Sequence, residues 1–352
     1  MREARELLAR LRALRAADAP AVVASIVAVD GSAYQREGAR MVIEPGGALT
    51  GILSGGCVER ELLAPAREVL AAAAPRTLRF DLAADEEAIW GFGLGCAGAI
   101  TLLLEPLAAC GETLERAFAA ALEERREVRL ETRVSPLGDG VTVERTLRLD
   151  AIETAPPEPR PGAATSSLEL VERISPPVHL VVLGAERDVV PLLRLAGELG
   201  WQATVVDPRP TPQAEARTGA LARYLGSAPR RLADAIRFDR RTAVLVATPR
   251  DLDDLAYLGE LDAAPIGYLG LLGPARRRQR LLADLARQRG EEDAAWNAAL
   301  RGPAGLDLGG RSPHEIALAV TAEIQAALHG GCGEPLAAKS ARVDRLPAER
   351  PR

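Results

Sequence analysis

The sequence predicts an α/β protein of two domains, an N-terminal α+β domain and a second domain built on a parallel sheet. Residues 21–149 contain strands and hairpins with few helices, whereas from residue 179 onward strands alternate with helices long enough to cross back over a sheet. Between them, AIETAPPEPRPGAA (151–164) has the proline- and alanine-rich composition of a linker. We therefore expect domains at 1–160 and 165–332 and a flexible tail at 333–352.

Length, charge and cysteine content narrow the class of protein. The 352 residues suffice for two cores. The formal net charge of −5 comes from 49 acidic and 44 basic residues, and the basic ones are interspersed, so we expect no nucleic-acid partner. The most apolar stretch, 91–107, contains glycines and falls short of the roughly 18–20 residues that span a bilayer, so we expect a cytoplasmic protein with no membrane partner. Its 4 cysteines form no CxxC pair, which predicts free thiols and no structural zinc site.

The N-terminal half predicts one helix followed by strands that pair locally. The first 20 residues place leucines on one helical face, and a buried strand follows at 21–29. ARMVIEPGGALTGIL (39–53) predicts a hairpin that turns at Pro45-Gly46-Gly47. Further expected elements are a helix at 57–74, strands at 77–82 and 99–107, a helix that begins near Glu112, and a hairpin of 128–134 and 141–149.

The segment Ser54-Gly55-Gly56-Cys57 closes a strand and opens a helix. Its glycines permit backbone conformations closed to other residues and let a ligand approach the main chain. The first turn of a helix presents unbonded N–H groups and a partial positive charge, which bind anions and stabilise a cysteine thiolate. These residues therefore predict a site for a phosphate, pterin or sulfur ligand. A tight turn with a small buried cysteine is the alternative interpretation.

A second glycine-rich segment, GFGLGCAG (91–98), carries Gly95 and Cys96 directly before a strand. One such loop is commonplace. Two in the same domain favour a shared cleft lined by backbone amides and two thiols, and we include Gly95 and Cys96 among the expected cofactor-binding residues.

Together these motifs resemble the XdhC/CoxI family, whose pattern runs GS, GARM, a hairpin, SGGC and GLGCGG. The chain has Gly31-Ser32, GARM (38–41) with Arg40, SGGC (54–57) and GLGCAG (93–98), and it departs from the pattern at Ala97. The resemblance implies an XdhC/CoxI-type N-terminal domain followed by a Rossmann-like domain. It also places Arg40 among the expected cofactor-binding residues.

The second half has the layout of a dinucleotide-binding unit: a strand, Gly184, a helix, a strand and then Asp207. Its fingerprint is altered, because Glu186 stands where the second glycine is expected and Val189 where the third is expected. A glutamate there places negative charge where a pyrophosphate would bind, which argues against tight NAD(P) binding. Gly184 and Asp207 are kept as expected cofactor-binding residues, with a solvated, inert strand end as the alternative for Asp207.

Two later segments join the candidate site. GLLGPARRR (270–278) places Gly273, Arg276 and Arg277 at a strand-to-helix junction, which suits a phosphate, although consecutive arginines point about 100° apart and cannot all face one ligand. In GLDLGGRSPHE (305–315), the pattern from Ser312 onward predicts a capping box with proline in the first turn. Asp307 and Arg311 stay open as cleft residues.

The resemblance implies a cofactor chaperone rather than an enzyme. Its implied cargo is molybdenum cofactor (molybdopterin), delivered after sulfuration to the apoenzyme of a molybdenum hydroxylase, with a cysteine desulfurase as second partner and a homodimer as the oligomeric form. We assign no catalytic residue and no metal ligand. The alternatives are an NAD(P)-dependent oxidoreductase with an altered Rossmann motif and a regulatory protein that acts through its surface.

Overall fold

The computed structural model describes residues 1–81, 98–138, 140–150, 167–227, 232–261, 264–289 and 294–338, and of Cys57 it describes the backbone alone. The chain divides into two compact units, Met1–Pro176 (unit 1) and Pro177–Arg352 (unit 2). Gly95, Cys96, the proline-rich segment 151–164 and most of the expected tail at 333–352 lie outside the described residues.

Unit 1 is built on an antiparallel sheet. Its strands are β1 (Val22–Gly31), β2 (Arg40–Ile43), β3 (Leu49–Gly51), β4 (Arg76–Asp81) and β5 (Gly98–Pro106), in the order β3-β2-β1-β5-β4. Its helices are α1 (Arg2–Ala16), α2 (Cys57–Glu61), α3 (Leu63–Ala72) and α4 (Leu107–Leu122). The predicted hairpin of 39–53 is β2 and β3, and the predicted helix at 57–74 is α2 followed by α3.

Helices cover both faces of this sheet. Val23 and Val42 pack with α1 and α4, whereas Val22, Ala24 and Met41 pack with α2 and α3. This explains why β1 is an unbroken apolar run, since alternate side chains enter different cores. The sequence placed the start of α4 near Glu112, but the helix begins at Leu107, immediately after the strand. Its first turn is apolar because it packs in the same core as α1, so polarity does not mark the boundary.

A second sheet completes unit 1. The hairpin of β6 (Val128–Leu137) and β7 (Gly140–Leu149) is as predicted, and β8 (Leu168–Ile174) pairs antiparallel with β6, giving the order β7-β6-β8. The sequence assigned residues 165 onward to the second domain. The structure instead divides the chain after Pro176, because β8 completes this sheet of unit 1.

Unit 2 has the expected Rossmann-like architecture. Its strands are β9 (His179–Leu183), β10 (Gln202–Asp207), β11 (Arg223–Gly226), β12 (Thr242–Val246), β13 (Tyr268–Leu271) and β14 (Leu300–Arg301), all parallel, in the order β11-β10-β9-β12-β13-β14. Its helices are α5 (Val190–Glu198), α6 (Pro212–Thr218), α7 (Leu232–Ala235), α8 (Asp251–Glu260), α9 (Ala275–Arg289), α10 (Ala294–Ala299) and α11 (Pro313–His329).

Alternate side chains of β9 also pack into two different hydrophobic cores. Leu180 and Val182 pack with α5 and α11, whereas Val181 and Leu183 pack with α8 and α9. The strand order reverses between β9 and β12. In open parallel sheets such a reversal leaves a crevice at the carboxyl ends of the strands, which is where ligands bind.

Candidate functional site

The motifs of unit 1 meet at one end of its larger sheet. Gly31, the last residue of β1, pairs with Gly98, the first residue of β5, and Gly51 at the end of β3 pairs with Met41 near the start of β2. Because neighbouring strands run antiparallel, the loops that contain Gly31-Ser32, GARM (38–41) and SGGC (54–57) all leave from this end. We call it the motif end of the sheet.

Close backbone and side-chain contacts join the loops at the motif end. A Cβ on Gly98 would lie 2.5 Å from the carbonyl oxygen of Asp30 and 2.6 Å from that of Ser32, so only glycine fits there. Two residues further along the same loop, the ring of Tyr34 comes within 3.8 Å of the Cβ position of Gly55. The Tyr34 side chain is nevertheless 63% exposed, so one face of an aromatic ring stays open beside the glycine turn.

Glu59 fills much of the turn that was expected to offer free amides. Its carboxylate accepts hydrogen bonds from the N–H groups of Leu53 (3.0 Å), Ser54 (2.7 Å) and Gly56 (2.9 Å) and from the Ser54 hydroxyl, while Val58 N–H donates to Ser54 Oγ at 2.9 Å. The sequence-based mechanism is corrected in this respect, because these amides already bind an anion supplied by the chain. Ser54 thereby acts in shaping the turn.

The hydrogen bonds around Glu59 fix its charge. Burial disfavours the ionised form, but hydrogen bonds from the Ser54 hydroxyl and from nearby amides outweigh it and lower the pKa of Glu59 to about 2. The turn therefore carries a permanent negative charge under its backbone at neutral pH. Gly55 and Gly56, with φ of 81° and 122°, form its exposed outer surface.

Cys57 and Cys110 of unit 1 lie on different helices. Cys57 is the first residue of α2 and so sits at the motif end. Its role as a ligand or sulfur carrier stays a prediction, as do those of Gly95 and Cys96. Cys110 lies in α4 and is buried, and burial, followed by the nearby charge of Glu105, raises the pKa of its thiol to about 12. Cys110 is therefore a core residue with an unreactive thiol.

Arg40 is bound inside the protein. Its guanidinium pairs with both carboxylate oxygens of Glu172 on β8, donates to Gly38 O at 2.9 Å and lies 5.8 Å from the centre of the Phe118 ring. The two side chains of the pair are only 2% and 9% exposed. The geometry thus gives Arg40 a structural role in joining the two sheets of unit 1, and its contact with a cofactor stays a prediction. Gly38 is required beside it, since a Cβ would lie 2.6 Å from the Glu172 carboxylate.

In unit 2, the residues expected to bind a dinucleotide are also engaged internally. Gly184 has φ of 116°, and a Cβ there would lie 2.6 Å from Ala247 O, so this glycine serves close packing between β9 and β12. Both oxygens of Asp207 have partners: Arg209 N–H at 2.9 Å and the Tyr224 hydroxyl at 2.9 Å. Burial and the hydrogen bond to Asp207 raise the pKa of Tyr224 to about 12. This arrangement supports the inert interpretation of Asp207.

Arg276 and Arg277, at the junction of β13 and α9, differ in their contacts. Arg277 donates to Thr248 O and to the fully buried Asp254, both at 2.5 Å, to Leu272 O at 3.1 Å, and pairs with Asp251 at 3.3 Å. These contacts tie α9 to α8 and to the end of β12, so Arg277 is held by the protein itself, and its contact with a ligand stays a prediction. Arg276 is exposed on the same helix, and the backbone of Gly273, with φ of 143°, lies on the wall of a cavity.

That cavity, of about 820 Å³, lies at the carboxyl ends of β9, β12 and β13. We call it the unit 2 cavity. The glycine-rich loop before α11 and one face of α11 form much of its wall. Asp307 and Arg311, which the sequence left open as cleft residues, both line it, as does Asp188, which sequence reasoning missed. The capping box is present: Glu315 accepts from Ser312 N–H at 2.8 Å, and Ser312 Oγ accepts from Glu315 N–H at 3.4 Å.

Two kinds of feature are absent from the described residues. They contain no helix of sufficient length and apolarity to cross a membrane, and no group of histidine, cysteine and carboxylate side chains arranged to hold a metal ion.

Known proteins are similar to this chain in sequence and in fold. A model described as the XdhC Rossmann domain matches residues 180–324, and one described as the XdhC and CoxI family matches residues 14–81. The chain is 29% identical over 323 residues to a probable xanthine dehydrogenase subunit of Bacillus subtilis (strain 168), and the match covers 86% of this chain and 92% of that protein. It is 27% identical over 310 residues to the molybdenum cofactor insertion chaperone PaoD of Escherichia coli (strain K12), covering 86% and 82%. A crystal structure of a xanthine dehydrogenase from Bacillus halodurans matches with a TM-score of 0.74 at 26% identity, over 98% of each chain.

Proposed function

The chain belongs to the XdhC and CoxI family, and we propose on this basis that it binds molybdenum cofactor and delivers it to the apoenzyme of a molybdenum hydroxylase of the xanthine dehydrogenase type. The names of its relatives support a role in maturation of a molybdenum enzyme, since one is called a molybdenum cofactor insertion chaperone and another a probable xanthine dehydrogenase subunit. We propose a carrier rather than an enzyme that turns over its own substrate.

The observation that carries the proposal is the convergence of the family motifs at the motif end of unit 1. There the exposed ring of Tyr34 lies beside Gly55, and Gly56 and Cys57 follow in the chain. An aromatic face stacks on a flat heterocycle such as a pterin, a glycine backbone lets a ligand approach closely, and a thiol binds molybdenum or carries sulfur. These are the chemical features that a sulfur-containing pterin cargo requires.

The finer steps extend this proposal. We propose that the terminal sulfur of the cargo is installed while the cargo is bound here, that a cysteine desulfurase supplies it, and that the protein works as a homodimer in the cytoplasm. Protection of the cargo beside the exposed glycine turn is consistent with such a sequence of transfer. The target is a protein with an empty cofactor site.

The test is the molybdenum and pterin content per polypeptide of protein purified anaerobically from a molybdate-replete host. We expect near-stoichiometric cofactor in the wild type and a severalfold loss in a Cys57→Ser, Cys96→Ser double variant. Cys332→Ser is the matched control, because Cys332 is an exposed cysteine in unit 2 and should not alter the content.

Two outcomes would contradict the proposal. Normal cofactor content and normal activation of a target hydroxylase by the double variant would remove the thiols from the site. Wild-type protein without pterin that binds NAD(P)H saturably would instead favour the oxidoreductase alternative.

A further inference from the structure

The unit 2 cavity has the size and the position of a small-molecule site. Its volume of about 820 Å³ falls within the range of roughly 300–1,000 Å³ that ligand pockets occupy. It lies at the carboxyl ends of the parallel strands, where the strand order reverses between β9 and β12. The proposed function assigns no ligand to this cavity, so the chemistry of its lining has to indicate one.

The apolar part of the lining is aliphatic. Leu192, Leu245 and Val320 are buried in the wall, and Ile316 on α11 is half-buried there. None of the described residues that line the cavity is aromatic, so the lining has no ring on which a heterocycle could stack. Leu308 is 53% exposed on the same wall, which leaves a further aliphatic side chain uncovered. The lining therefore favours a ligand with an aliphatic body over a nucleotide base or another flat ring.

Three charged side chains line the same cavity, those of Asp188, Asp307 and Arg311, and all three residues are exposed. Among the described residues, neither the carboxylate of Asp188 nor the guanidinium of Arg311 has a hydrogen-bond or ion-pair partner, and Arg311 uses only its backbone N–H, which donates to Glu315. Asp307 accepts one long hydrogen bond, from Gly309 N–H at 3.4 Å, through one of its two carboxylate oxygens. The lining therefore presents carboxylate acceptors and guanidinium donors that the protein leaves largely unused.

These charged groups come from two segments of the chain that meet at α11. Asp188 lies in the turn Arg187–Val189 between β9 and α5, and this turn packs against α11. Asp307 and Arg311 lie in the glycine-rich loop immediately before α11. A ligand held between the two segments contacts a carboxylate of the first and the guanidinium of the second.

Ligands that carry charge of one sign fit this lining poorly. A phosphate chain would meet the carboxylates of Asp188 and Asp307 with a single guanidinium to offset them, and Glu186 is exposed in the turn after β9. A simple amine would leave the guanidinium of Arg311 without an acceptor, and a fatty acid would bring its carboxylate close to two others. A zwitterion matches both signs, because its ammonium has three N–H donors for a carboxylate and its carboxylate accepts two parallel hydrogen bonds from a guanidinium.

We infer that the unit 2 cavity binds a small zwitterion with an aliphatic body, namely a free aliphatic amino acid or an aliphatic dipeptide. Its ammonium binds Asp188, its carboxylate binds Arg311, and its side chain packs against Leu192 and Val320. This site goes beyond the proposed function and does not depend on it, because it uses no residue of the motif end. The amino acid and the dipeptide share the same chemistry, and separate titrations distinguish them.

The test is calorimetric titration of the full-length protein with L-leucine and with L-leucyl-L-leucine. At least one of them should bind saturably at one site with a Kd below about 1 mM. Two analogues of leucine test the charges, since 3-methylbutylamine lacks the carboxylate and 4-methylpentanoate lacks the ammonium. Each should bind at least about tenfold more weakly than the zwitterion, because it leaves one charged side chain of the cavity without its partner.

Three variants test the assignment to this cavity. Asp188→Asn and Arg311→Gln each remove a charge from an exposed residue of the lining and should weaken binding on the order of tenfold. Arg311→Gln keeps the backbone N–H that donates to Glu315. Ile316→Trp enlarges a half-buried side chain of the wall and should abolish binding.

Matched variants separate these effects from general damage. Asp234→Asn and Arg194→Gln make the same changes of charge at exposed residues outside the lining, and Leu318→Trp adds the same ring at an exposed position of α11 that does not line the cavity. All three should bind the ligand as wild type does. Thermal unfolding should show every variant folded, and if Ile316→Trp is not, the two charge variants still decide the question.

The possible outcomes separate this inference from the proposed function. If neither zwitterion binds saturably, or if the amine or the acid alone binds as tightly, the inference is wrong and the proposed function is unaffected. Binding that is unchanged in Asp188→Asn and Arg311→Gln lies outside this cavity and overturns the inference as well. Binding that falls in the lining variants but not in their controls supports it, and the tighter of the two ligands identifies the source. Absence of molybdenum cofactor from the same protein would count against the proposed function alone.

Discussion

Glu59 occupies the backbone amides of the glycine turn that precedes it in the sequence. Its carboxylate binds the amides of Leu53, Ser54 and Gly56, so the glycine turn is held by an internal anion. We predict that Glu59→Gln lowers the free energy of unfolding of unit 1 by about 2–3 kcal/mol at pH 7, because the amide replaces one acceptor oxygen with a donor that faces N–H groups. Urea unfolding measures the change, with the exposed Glu61→Gln as control.

The pKa of Glu59 also predicts how the stability of unit 1 depends on pH. The pKa of Glu59 is lowered from 4.5 to about 2 in the folded protein, so its contribution to stability is fully present above pH 4.5 and is lost as the pH falls toward 2. The difference in stability between wild type and Glu59→Gln should therefore shrink across that window. A difference that is constant between about pH 7 and about pH 2.5 would show that the charge of Glu59 contributes nothing.

At the scale of single residues, the sequence predicted where turns and caps lie better than it predicted what individual side chains contact. It placed the glycine turn and the capping box correctly, since both depend on residues within a few positions of each other. It did not reveal the ion pair of Arg40, because the partner, Glu172, lies 132 positions away and only the folded chain brings them together. Asp188 was missed because the altered fingerprint drew attention to Glu186, its neighbour but one.

The elements of unit 1 are joined by buried ion pairs. Arg145 on β7 binds both oxygens of Glu105 on β5, and the two side chains are 9% and 2% exposed. We predict that Glu105→Leu alone lowers the free energy of unfolding by about 3–5 kcal/mol, because it leaves a buried guanidinium unpaired. The Glu105→Leu, Arg145→Met double variant should recover most of that loss, since Nε of Arg145 has no partner even in the wild type.

Chemical unfolding of Glu105→Leu, Arg145→Met and the double variant completes the cycle. The exposed pair of Arg76 and Glu68, at 50% and 64% exposure, is the matched control, and Glu68→Leu should change stability by no more than about 1 kcal/mol. If the double variant loses as much stability as the two single variants added together, the two side chains are not coupled, and an unpaired guanidinium is not what destabilises Glu105→Leu.

At the scale of elements, periodicity predicted most strands and helices, but it failed where polarity does not mark a boundary. The strand β5 passes into α4 through apolar residues, so the helix start at Leu107 was not visible. The strand β8 was missed although Leu168, Leu170 and Ile174 alternate, because the inward position between them holds the charged Glu172. The short elements β11, α7 and β14 depend on packing against the sheet and carry little signal of their own.

At the scale of the whole molecule, the two-domain organisation was predictable from the change in pattern after residue 164, and the architecture of each half followed. The position of the division was not. A proline-rich segment indicates an irregular stretch but does not say which domain claims the residues beyond it. Here β8 pairs with β6, so unit 1 extends to Pro176.

This division makes a prediction about fragments. A protein of residues 1–176 keeps β8 and with it the Glu172 partner of Arg40, whereas a protein of residues 1–160 leaves the edge of β6 unpaired and a buried guanidinium without its carboxylate. We expect the shorter fragment to be less stable by about 3 kcal/mol or more and prone to aggregate through the open strand edge. Circular dichroism during heating and urea unfolding of both fragments measures this. Glu172→Gln in the longer fragment separates the lost ion pair from the lost strand: it should reproduce part of the destabilisation without the aggregation. Equal midpoints for the two fragments would mean that unit 1 is complete by residue 160 and that β8 adds nothing to its stability.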